Sequence, residues 1–305
     1  MQKPFLSIVI CTYNGELYLR EQLLSLFQQT YTDFEIIAID DCSIDSSFNI
    51  LKEFSKDSIL KAYRNEKNLG LNKNFQIGIQ KTAGDYIVLC DQDDIWEPNK
   101  LETLVKQIDG SLLYFHDSAL IDANGKSLFK KQSDRFQPMS NPHPLSFVPL
   151  NCVTGHACML ERRLLDLLDF PFPEHIYYDN WLGYIASTYG RIHYVNQCLV
   201  RYRAHGTNIS ISHKKKNRFD DDLLKVCYAQ LDSFYESAPE NAPYKIFLRR
   251  LRDTYKSYRI FPSIYRIILF LQHYKTLTAF RKKNMFRKLS FCIKMSYKPL
   301  PNYFM

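Results

Sequence analysis

The sequence predicts an α/β fold with a mostly parallel central sheet flanked by helices, followed by a basic helical extension. Two observations lead to this prediction. In the first 110 residues, four short apolar runs alternate with stretches of helical periodicity, and the last hundred residues are far more basic than the rest. Apolar strands separated by helices are typical of a parallel sheet that is covered on both faces.

The elements of the alternating region follow from hydrophobic patterning. The four predicted strands are short runs rich in Ile, Val and Leu: LSIVI at 6–10, FEIIAI at 34–39, SILKAY at 58–63 and YIVLC at 86–90. The helical stretches between and after them lie near 16–29, 45–55, 72–82 and 98–108.

Beyond residue 110 the pattern changes. The segments SLLYFHDSALID and ANGKSLF predict a hairpin that turns at Asn124-Gly125. The remaining predicted elements are a loop at 130–150, helices at 161–168 and 179–190, two short strands within 191–206, and helices from about 214 onward.

The charge of the 305-residue chain is divided unevenly along its length. Residues 1–205 contain 20 Lys/Arg and 25 Asp/Glu, whereas residues 206–305 contain 20 and 7, which gives the last hundred residues a net charge of +13. Such an excess predicts contact with an anionic surface, either membrane lipid or nucleic acid, and a solvated basic face is the alternative.

Two further features bear on location. The longest apolar stretch, 260–274, is interrupted by Pro262 and Arg266, so it is too short to span a bilayer and predicts either a membrane-interface segment or a helical hairpin packed on its own domain. Eight scattered cysteines without metal-ligand spacing, and an N-terminus without a signal-peptide pattern, predict a cytoplasmic protein.

Polar and acidic residues follow each predicted strand of the first 110 residues. Thr12-Tyr13-Asn14 follows the first strand, Asp40-Asp41 the second, RNEKNLG the third and DQDD, 91–94, the fourth. In parallel sheets ligands bind beyond the carboxyl ends of the strands, so we expect a binding site at this edge. The absence of GxGxxG and GxxxxGK[ST] motifs argues against dinucleotide and P-loop sites.

The acids after the fourth strand have a specific chemical interpretation. Carboxylates two residues apart on a turn, Asp91 and Asp93, can converge on Mg²⁺ or Mn²⁺, which would cancel their repulsion and leave positions for a diphosphate. The alternative is capping of the following helix by Asp93 or Asp94. Asp41 likewise has two interpretations: it caps the following helix, or it accepts a hydrogen bond from a base N–H or a ribose hydroxyl.

Four motifs occur in a fixed order along the first 110 residues: an opening strand with TYN, then DD.S, NLG and D.DD.W.P. Together they resemble the nucleotide-binding half of family 2 glycosyltransferases, strongly over about residues 5–110. Over 110–205 the looser segments TGHACML, YDNWLGYIA and RYRAHGTN resemble bacterial polysaccharide enzymes of the rhamnosyltransferase-like kind. The resemblance implies the GT-A fold, a nucleotide-diphosphate sugar donor and inversion at the anomeric carbon.

The resemblance also implies roles for individual residues. It implies a donor site in which Asp41 contacts the base, Asp91 approaches the ribose and the metal, and Asp93 ligates the metal. The other residues implied at the nucleotide are Thr12, Tyr13, Asn14, Asn68 and Gly70. By the same resemblance the chain has a donor-binding half at 1–110 and an acceptor-binding half at 111–213. Residues 214–305, which carry no signal of the family, are predicted from their pattern and charge to form a basic helical extension.

The catalytic base implied by the resemblance is Asp179, in YYDNWLGY, although family members have Glu or His where this chain has Tyr178. Helix capping is the alternative role for Asp179. In RYRAHGTN, Arg203 is a candidate for binding phosphate oxygens and His205 for completing the metal shell, since they share one face of a strand, although a solvent-facing strand would have the same pattern. Trp181 is a candidate sugar platform, with core packing as the commoner use.

These observations predict an inverting, metal-assisted glycosyltransferase that uses a UDP- or dTDP-sugar. Its expected acceptor is a glycan or lipid-linked saccharide of cell-surface polysaccharide synthesis, reached from the inner face of the plasma membrane. A nucleotidyltransferase and a non-enzymatic nucleic-acid-binding protein are the alternatives. The first lacks its usual Gly-rich basic loop, and the second leaves the acids at the strand ends unexplained, so we expect no nucleic-acid partner.

Overall fold

The computed structural model describes residues 3–57, 59–205, 221–256 and 264–297. It divides the chain into two compact units. Unit 1 draws on Met1–Asp134, Val153–Phe172 and Arg191–His205, and unit 2 on Arg135–Cys152, Pro173–Gly190 and Gly206–Met305. The predicted boundary at 213–214 lies outside the described residues, and the assignment of donor and acceptor halves stays a prediction.

The first half of unit 1 is a four-stranded parallel sheet with the order β3-β2-β1-β4. Its strands are β1 (Leu6–Thr12), β2 (Phe34–Asp40), β3 (Leu60–Arg64) and β4 (Tyr86–Cys90). The helices that connect and follow them are α1 (Glu16–Phe27), α2 (Ser47–Phe54), α3 (Leu71–Gln80) and α4 (Lys100–Lys106). Every residue of β1 and β2 is buried, as expected for strands covered on both faces. The predicted alternation of strands and helices is confirmed.

The second half of unit 1 extends the same sheet with mixed pairing. It contributes β5 (Ile95–Trp96), β6 (Leu113–Ile121), β7 (Ser127–Lys131), β8 (Cys158–Glu161) and β9 (Ile192–Arg203). Strand β8 lies between β4 and β6 and is antiparallel to both, and β9 runs parallel to β6. At the margins, β5 pairs antiparallel with β9, and β7 pairs antiparallel with β6. The predicted hairpin is β6–β7, with Gly125 in its turn at φ 80°.

Two predictions for this half were wrong. The two short strands expected within 191–206 are the single strand β9, because the polar residues Asn196 and Gln197 are accommodated in a register shift opposite His116 and Asp117 and do not end the strand. The helix expected at 161–168 is a 3₁₀ helix over Arg162–Leu167.

Unit 2 is helical in its described part. Its helices are α5 (Tyr178–Tyr189), α6 (Asp221–Glu236), α7 (Lys245–Asp253), α8 (Ile264–Gln272), α9 (Tyr274–Leu277) and α10 (Met285–Tyr297). Trp181 and Tyr184 of α5 pack against Phe234 of α6, and the Tyr184 hydroxyl donates to the Phe234 carbonyl. Across the described ranges, no helix has both the length and the apolar composition needed to cross a membrane.

A buried carboxylate fastens the amino ends of β1 and β2 to the turn before β4. Glu35 of β2 accepts hydrogen bonds from Ser7 Oγ at 2.8 Å, the Ala83 backbone N–H at 2.8 Å and Lys61 Nζ at 2.9 Å. Burial raises the pKa of Glu35, but the hydrogen bonds from Ala83, Lys61 and Ser7 outweigh it and hold the pKa below its ordinary value.

We expect Glu35→Gln to lower the free energy of unfolding at neutral pH by about 1–2 kcal/mol, because an amide cannot accept all three hydrogen bonds. The pKa of Glu35 in the folded protein lies below its value in the unfolded chain. The carboxylate therefore contributes fully to the free energy of unfolding above the unfolded pKa, and this contribution is lost as the pH falls through the folded pKa. Urea unfolding at several pH values should therefore show the difference from wild type shrinking in acid. Glu53→Gln, at an exposed ion pair with Arg20, is the matched control and should change stability far less.

Candidate active site

Three carboxylates lie within four residues on the turn that joins β4 to β5. Asp91 and Asp93 are partly exposed, whereas Asp94 is fully buried. One oxygen of Asp94 accepts the Arg203 backbone N–H at 3.0 Å, and the other is buried with no hydrogen-bond partner among the described residues. Burial raises the pKa of Asp94 well above its ordinary value, and the neighbouring Asp93 and Asp91 raise it further. The turn thus disfavours three simultaneous negative charges unless a cation compensates them.

Arg203, at the end of β9, braces this turn. Its side chain is 2% exposed, and Nε donates to the Asp93 carbonyl at 2.8 Å. The terminal nitrogens donate to the Ala123 carbonyl at 3.2 Å and to Glu21 Oε2 at 2.5 Å, and the guanidinium lies 4.6 Å from the centre of the Tyr18 ring. These contacts hold the end of β9 against the acidic turn, and the predicted phosphate contact of Arg203 stays a prediction.

His205 extends the contact between β9 and the acids. Its Nε2 lies 2.8 Å from Asp93 Oδ2, and its ring packs beside Tyr18 with 5.0 Å between ring centres. The structure therefore brings together Asp93 and His205, two of the three predicted metal ligands.

A second group of donors surrounds Asp91. Ligand atoms of Asp91, Asp94 and His156 all lie within 4.8 Å of one another, the one such three-residue group of His, Cys, Asp or Glu found in the described part of the chain. His156 Nδ1 lies 3.9 Å from Asp91 Oδ2, while its Nε2 lies 2.9 Å from Ser118 Oγ. Burial, together with Lys100, lowers the pKa of His156 to about 3, so the imidazole is neutral, as a metal ligand must be.

This group fits a hard divalent cation. One buried oxygen of Asp94 accepts no hydrogen bond from any residue that the structure describes, and the neutral imidazole of His156 offers a lone pair beside two carboxylates. Asp94 and His156 were not among the predicted ligands, Asp91, Asp93 and His205, so the donors available to a metal exceed those expected from the sequence.

Lys100 lies behind the acids, at the start of α4. Its side chain is fully buried, Nζ donates to the His156 carbonyl at 2.9 Å, and the ammonium lies 3.4 Å from the centre of the Trp96 ring. Burial lowers the pKa of Lys100 to about 7, although the nearby acidic groups oppose the shift. Lys100 fixes the turn that carries His156.

Asp41 organises the loop that follows β3. Its carboxylate accepts the Asn65 side-chain amide and the backbone N–H groups of Leu69 and Gly70, each at 2.8 Å. The side-chain amide of Asn68 lies 3.5 Å from the Asp41 carbonyl, and Gly70 adopts φ 83°, a conformation that favours glycine. Asp41, Asn68 and Gly70, all predicted at the nucleotide, therefore lie together at the carboxyl edge of the sheet.

The turn after β1 is tied to the acidic turn by an amide clamp. Gln92 Oε1 accepts the Tyr13 N–H at 2.9 Å and Gln92 Nε2 donates to the Tyr13 carbonyl at 3.2 Å. A Cβ at Gly15 would lie 2.2 Å from Gln92 Oε1, so glycine is needed for this approach. Asn14, at φ 48°, accepts the Ile44 N–H through its side chain, and Thr12 donates to Asp40.

Two predicted site residues belong to unit 2. Asp179 is buried in the first turn of α5, where Oδ1 accepts the Asn180 N–H at 2.7 Å, and Tyr177 occupies the N-cap position. Trp181 is buried in the aromatic cluster of α5 and α6, as in the core-packing alternative. The roles of both in catalysis or sugar binding stay predictions.

Sequence reasoning missed the contributions of Asp94, Gln92 and Lys100. Asp94 was considered as a helix cap and His156 lies within the segment TGHACML, but nothing in their spacing indicated that they approach each other. Their proximity comes from the pairing of β8 between β4 and β6, which is a tertiary feature.

Comparison with known proteins agrees with this architecture. Residues 7–168 match the family model described as Glycosyl transferase family 2. Over 228 residues the chain is 30% identical to an uncharacterized glycosyltransferase of Methanocaldococcus jannaschii, which covers 72% of this chain and 77% of that protein.

Solved structures share the fold. A crystal structure of S. aureus TarS 1-349 in complex with UDP-GlcNAc has a TM-score of 0.62 at 16% identity, covering 98% of this chain and 89% of the TarS 1-349 chain. The mannosyltransferase PcManGT from Pyrobaculum calidifontis, in complex with GDP-Man and Mn²⁺, has a TM-score of 0.53 at 13% identity, covering 97% and 76%. The predicted GT-A fold is confirmed, and the chain belongs to glycosyl transferase family 2 and is a glycosyltransferase.

Proposed function

We propose that this glycosyltransferase transfers a sugar from a UDP- or dTDP-linked donor, with inversion, to a saccharide acceptor of cell-surface polysaccharide synthesis. The observation that carries the proposal is the convergence of Asp91, Asp93 and Asp94 with His156 and His205 at the carboxyl edge of the sheet. An acidic edge would repel a diphosphate unless a cation lay between them. The UDP-GlcNAc bound by TarS and the GDP-Man and Mn²⁺ bound by PcManGT support a nucleotide-sugar donor and a metal.

The proposed metal is Mg²⁺ or Mn²⁺, held by carboxylates and imidazole of the acidic turn. Asp91 and Asp93 are the first candidates, His205 is hydrogen-bonded to Asp93, and Asp94 and His156 add donors beside Asp91. When bound, the cation would neutralise the charge that develops on the departing diphosphate. Arg203 would contribute by keeping β9, and with it His205, against the turn.

The proposed nucleotide site lies along the ends of β1, β2 and β3. The carboxylate of Asp41 accepts three hydrogen bonds from the 65–70 loop, and a carboxylate has about four acceptor positions, so capacity for a base N–H remains. Gly70 and Asn68 belong to the loop that Asp41 orders. Thr12, Tyr13 and Asn14 form the turn clamped by Gln92, and Tyr13 is about half exposed.

Asp179 is the proposed general base. Inversion requires an acceptor hydroxyl to attack the anomeric carbon from the face opposite the diphosphate, and an acid within hydrogen-bond reach must take its proton. The position of Asp179 in the first turn of α5 supports the implied role, since the peptide dipoles at a helix start stabilise the carboxylate. Trp181 would support the helix by core packing more than by stacking on a sugar.

The acceptor is proposed to be a glycan or lipid-linked saccharide at the inner face of the plasma membrane. The net charge of +13 over residues 206–305 supports peripheral attraction to an anionic leaflet. The residues of the proposed nucleotide site, from Thr12 to Gly70, all belong to the donor half, 1–110, which supports that part of the proposed division. His156, Arg203 and His205 reach the acidic turn from 111–213, so that half would contribute to the donor site as well.

We expect Asp93→Asn to abolish the Mn²⁺-dependent part of UDP binding and to slow donor hydrolysis at least a hundredfold, because a neutral amide is a weaker ligand for a hard cation. Calorimetry with and without Mn²⁺, and a panel of UDP- and dTDP-sugars assayed for hydrolysis with Mg²⁺ or Mn²⁺, would measure both effects. Asp33→Asn, at an exposed acid of the same unit, is the control. Metal-independent UDP binding by the wild type would contradict the proposal.

We expect Asp179→Asn to reduce donor hydrolysis by about 10²–10⁴-fold while leaving metal-dependent UDP binding intact. Water takes the place of the acceptor hydroxyl in this assay, so the reaction still requires the base. The exposed acid Asp166 provides the matched control variant, Asp166→Asn. Equal loss of UDP binding and hydrolysis would instead indicate a structural role, and undiminished hydrolysis would exclude Asp179 as the base.

A further inference from the structure

The positive charge of unit 2 is concentrated in one segment. Residues 264–297 contain eight Lys or Arg and no Asp or Glu, whereas residues 221–256 contain six of each sign. The segment includes α8, α9 and α10. The excess of cations among the described residues of unit 2 therefore lies in this segment, with Arg281, Lys282 and Lys283 in the connection between α9 and α10.

The same segment exposes large apolar side chains. On α8 the exposed fraction is 76% for Ile264, and Tyr265 and Ile268 are also exposed. On α10 it is 53% for Met285 and 75% for Phe286. Ile264 and Ile268 are one helical turn apart and so lie on one face of α8, while Leu269 and Phe270 of the same helix are buried.

α8 and α10 contact each other, and each buries another part of its surface. On α10 the buried residues are Cys292 and Met295, while Ile293, seven residues after Phe286, is exposed on the same face as Phe286. The outward surface of α10 therefore combines cations with aliphatic and aromatic side chains. The outward surface of α8 contributes apolar side chains, since Arg266, the one cation of that helix, is buried.

The strongest concentration of these features is the start of α10. All six residues of 282–287, KKNMFR, are exposed. Asn284 Oδ1 accepts the Arg287 N–H at 3.0 Å and its carbonyl accepts the Lys288 N–H at 3.0 Å, which begins the helix directly before Met285. The cap presents Met285 and Phe286 on an ordered helical turn with Lys282 and Lys283 before them and Arg287 after them.

Exposed Met and Phe between lysines and arginine match the chemistry of a bilayer interface. Cations interact with lipid phosphates, and apolar side chains enter the boundary between head groups and acyl chains. A nucleic acid would account for the cations but would leave the aliphatic side chains in water. A carboxylate-rich protein surface would likewise account for the cations but would leave the aliphatic side chains in water.

We infer that α8 and α10 form a docking face for an anionic bilayer, with Met285 and Phe286 entering the interface and Lys282, Lys283 and Arg287 contacting lipid phosphates. The inference rests on the proposed membrane contact and assigns it to a surface. It also divides the binding into two parts: salt screens the contribution of the cations, while the contribution of the apolar pair persists.

The test is flotation of the full-length protein with phosphatidylcholine vesicles that contain or lack phosphatidylglycerol, at low and high salt. Wild-type protein should float with phosphatidylglycerol vesicles, bind phosphatidylcholine vesicles at least tenfold more weakly, and keep a measurable part of its binding at high salt. Met285→Ser/Phe286→Ser should weaken binding about tenfold and make the remainder fully salt-sensitive. Lys282→Glu/Lys283→Glu should remove most binding at low salt.

The matched controls place the same substitutions elsewhere on the surface. Leu24→Ser/Ile246→Ser removes two exposed apolar side chains, and Lys56→Glu/Lys130→Glu changes the net charge equally. Both should float like the wild type. Three results would overturn the inference. Both KKNMFR variants could float like the wild type, the control variants could lose flotation to the same extent as the KKNMFR variants, or the protein could bind DNA and not vesicles. A change from dimer to monomer in sedimentation without any vesicle binding would overturn it as well, since the face would then contact a second copy.

Donor hydrolysis in solution separates this inference from the proposed function. The KKNMFR variants should hydrolyse the donor at the wild-type rate, because none of the substituted residues belongs to the acidic site. Loss of flotation with normal hydrolysis supports the docking face. A wild-type protein that floats as expected but hydrolyses no donor would leave the docking face supported and the proposed function refuted.

Discussion

The compensation of three carboxylates within four residues is the constraint on which the site of unit 1 depends. Arg203 and His205 approach these acids from the end of β9, more than a hundred residues away in sequence. The two-residue strand β5 makes this possible, because it starts directly after Asp94 and pairs with β9 in the register Ile95 to Arg201 and Trp96 to Val200. The mixed half of the sheet thus delivers cationic and imidazole groups to the end of the parallel half.

The acids divide into a buried and a partly exposed set. One oxygen of Asp94 accepts the Arg203 N–H, and the other has no partner in the described part of the chain, so these residues leave the desolvation of a buried acceptor uncompensated. Lys100 lies near enough to reduce this cost but donates to the His156 carbonyl, and burial works against its charge. A site that tolerates an unpaired carboxylate oxygen beside a neutral imidazole is better explained by binding of a cation than by stability alone.

The parallel half of the sheet could be predicted because its strands are continuous apolar runs and its ligand edge follows from strand direction. For the same reason Asp41, Asp91 and Asp93 could be named from sequence, and the structure places them on that edge. The proximity of Asp94, Asp91 and His156 could not be predicted, since it depends on where β8 inserts between β4 and β6. The bulge that keeps β9 continuous was equally hidden, because a register shift leaves the polar pair Asn196 and Gln197 looking like a strand break.

The acidic turn at 91–94 and the basic segment at 264–297 carry opposite charges, so they differ in what they require of a binding partner. An acidic edge can attract an anionic diphosphate only through a cation, so metal dependence is the condition under which the carboxylates of 91–94 help binding. The acid-free segment 264–297 needs no intermediary to attract an anionic surface, but charge alone would not retain it at physiological ionic strength, where the screening length is about 8 Å. At the proposed docking face, the exposed side chains of Met285 and Phe286 would supply an interaction that salt does not screen. The structure has no membrane-spanning helix in its described part, so the proposed contact with a lipid-linked acceptor would depend on charge and this apolar pair together.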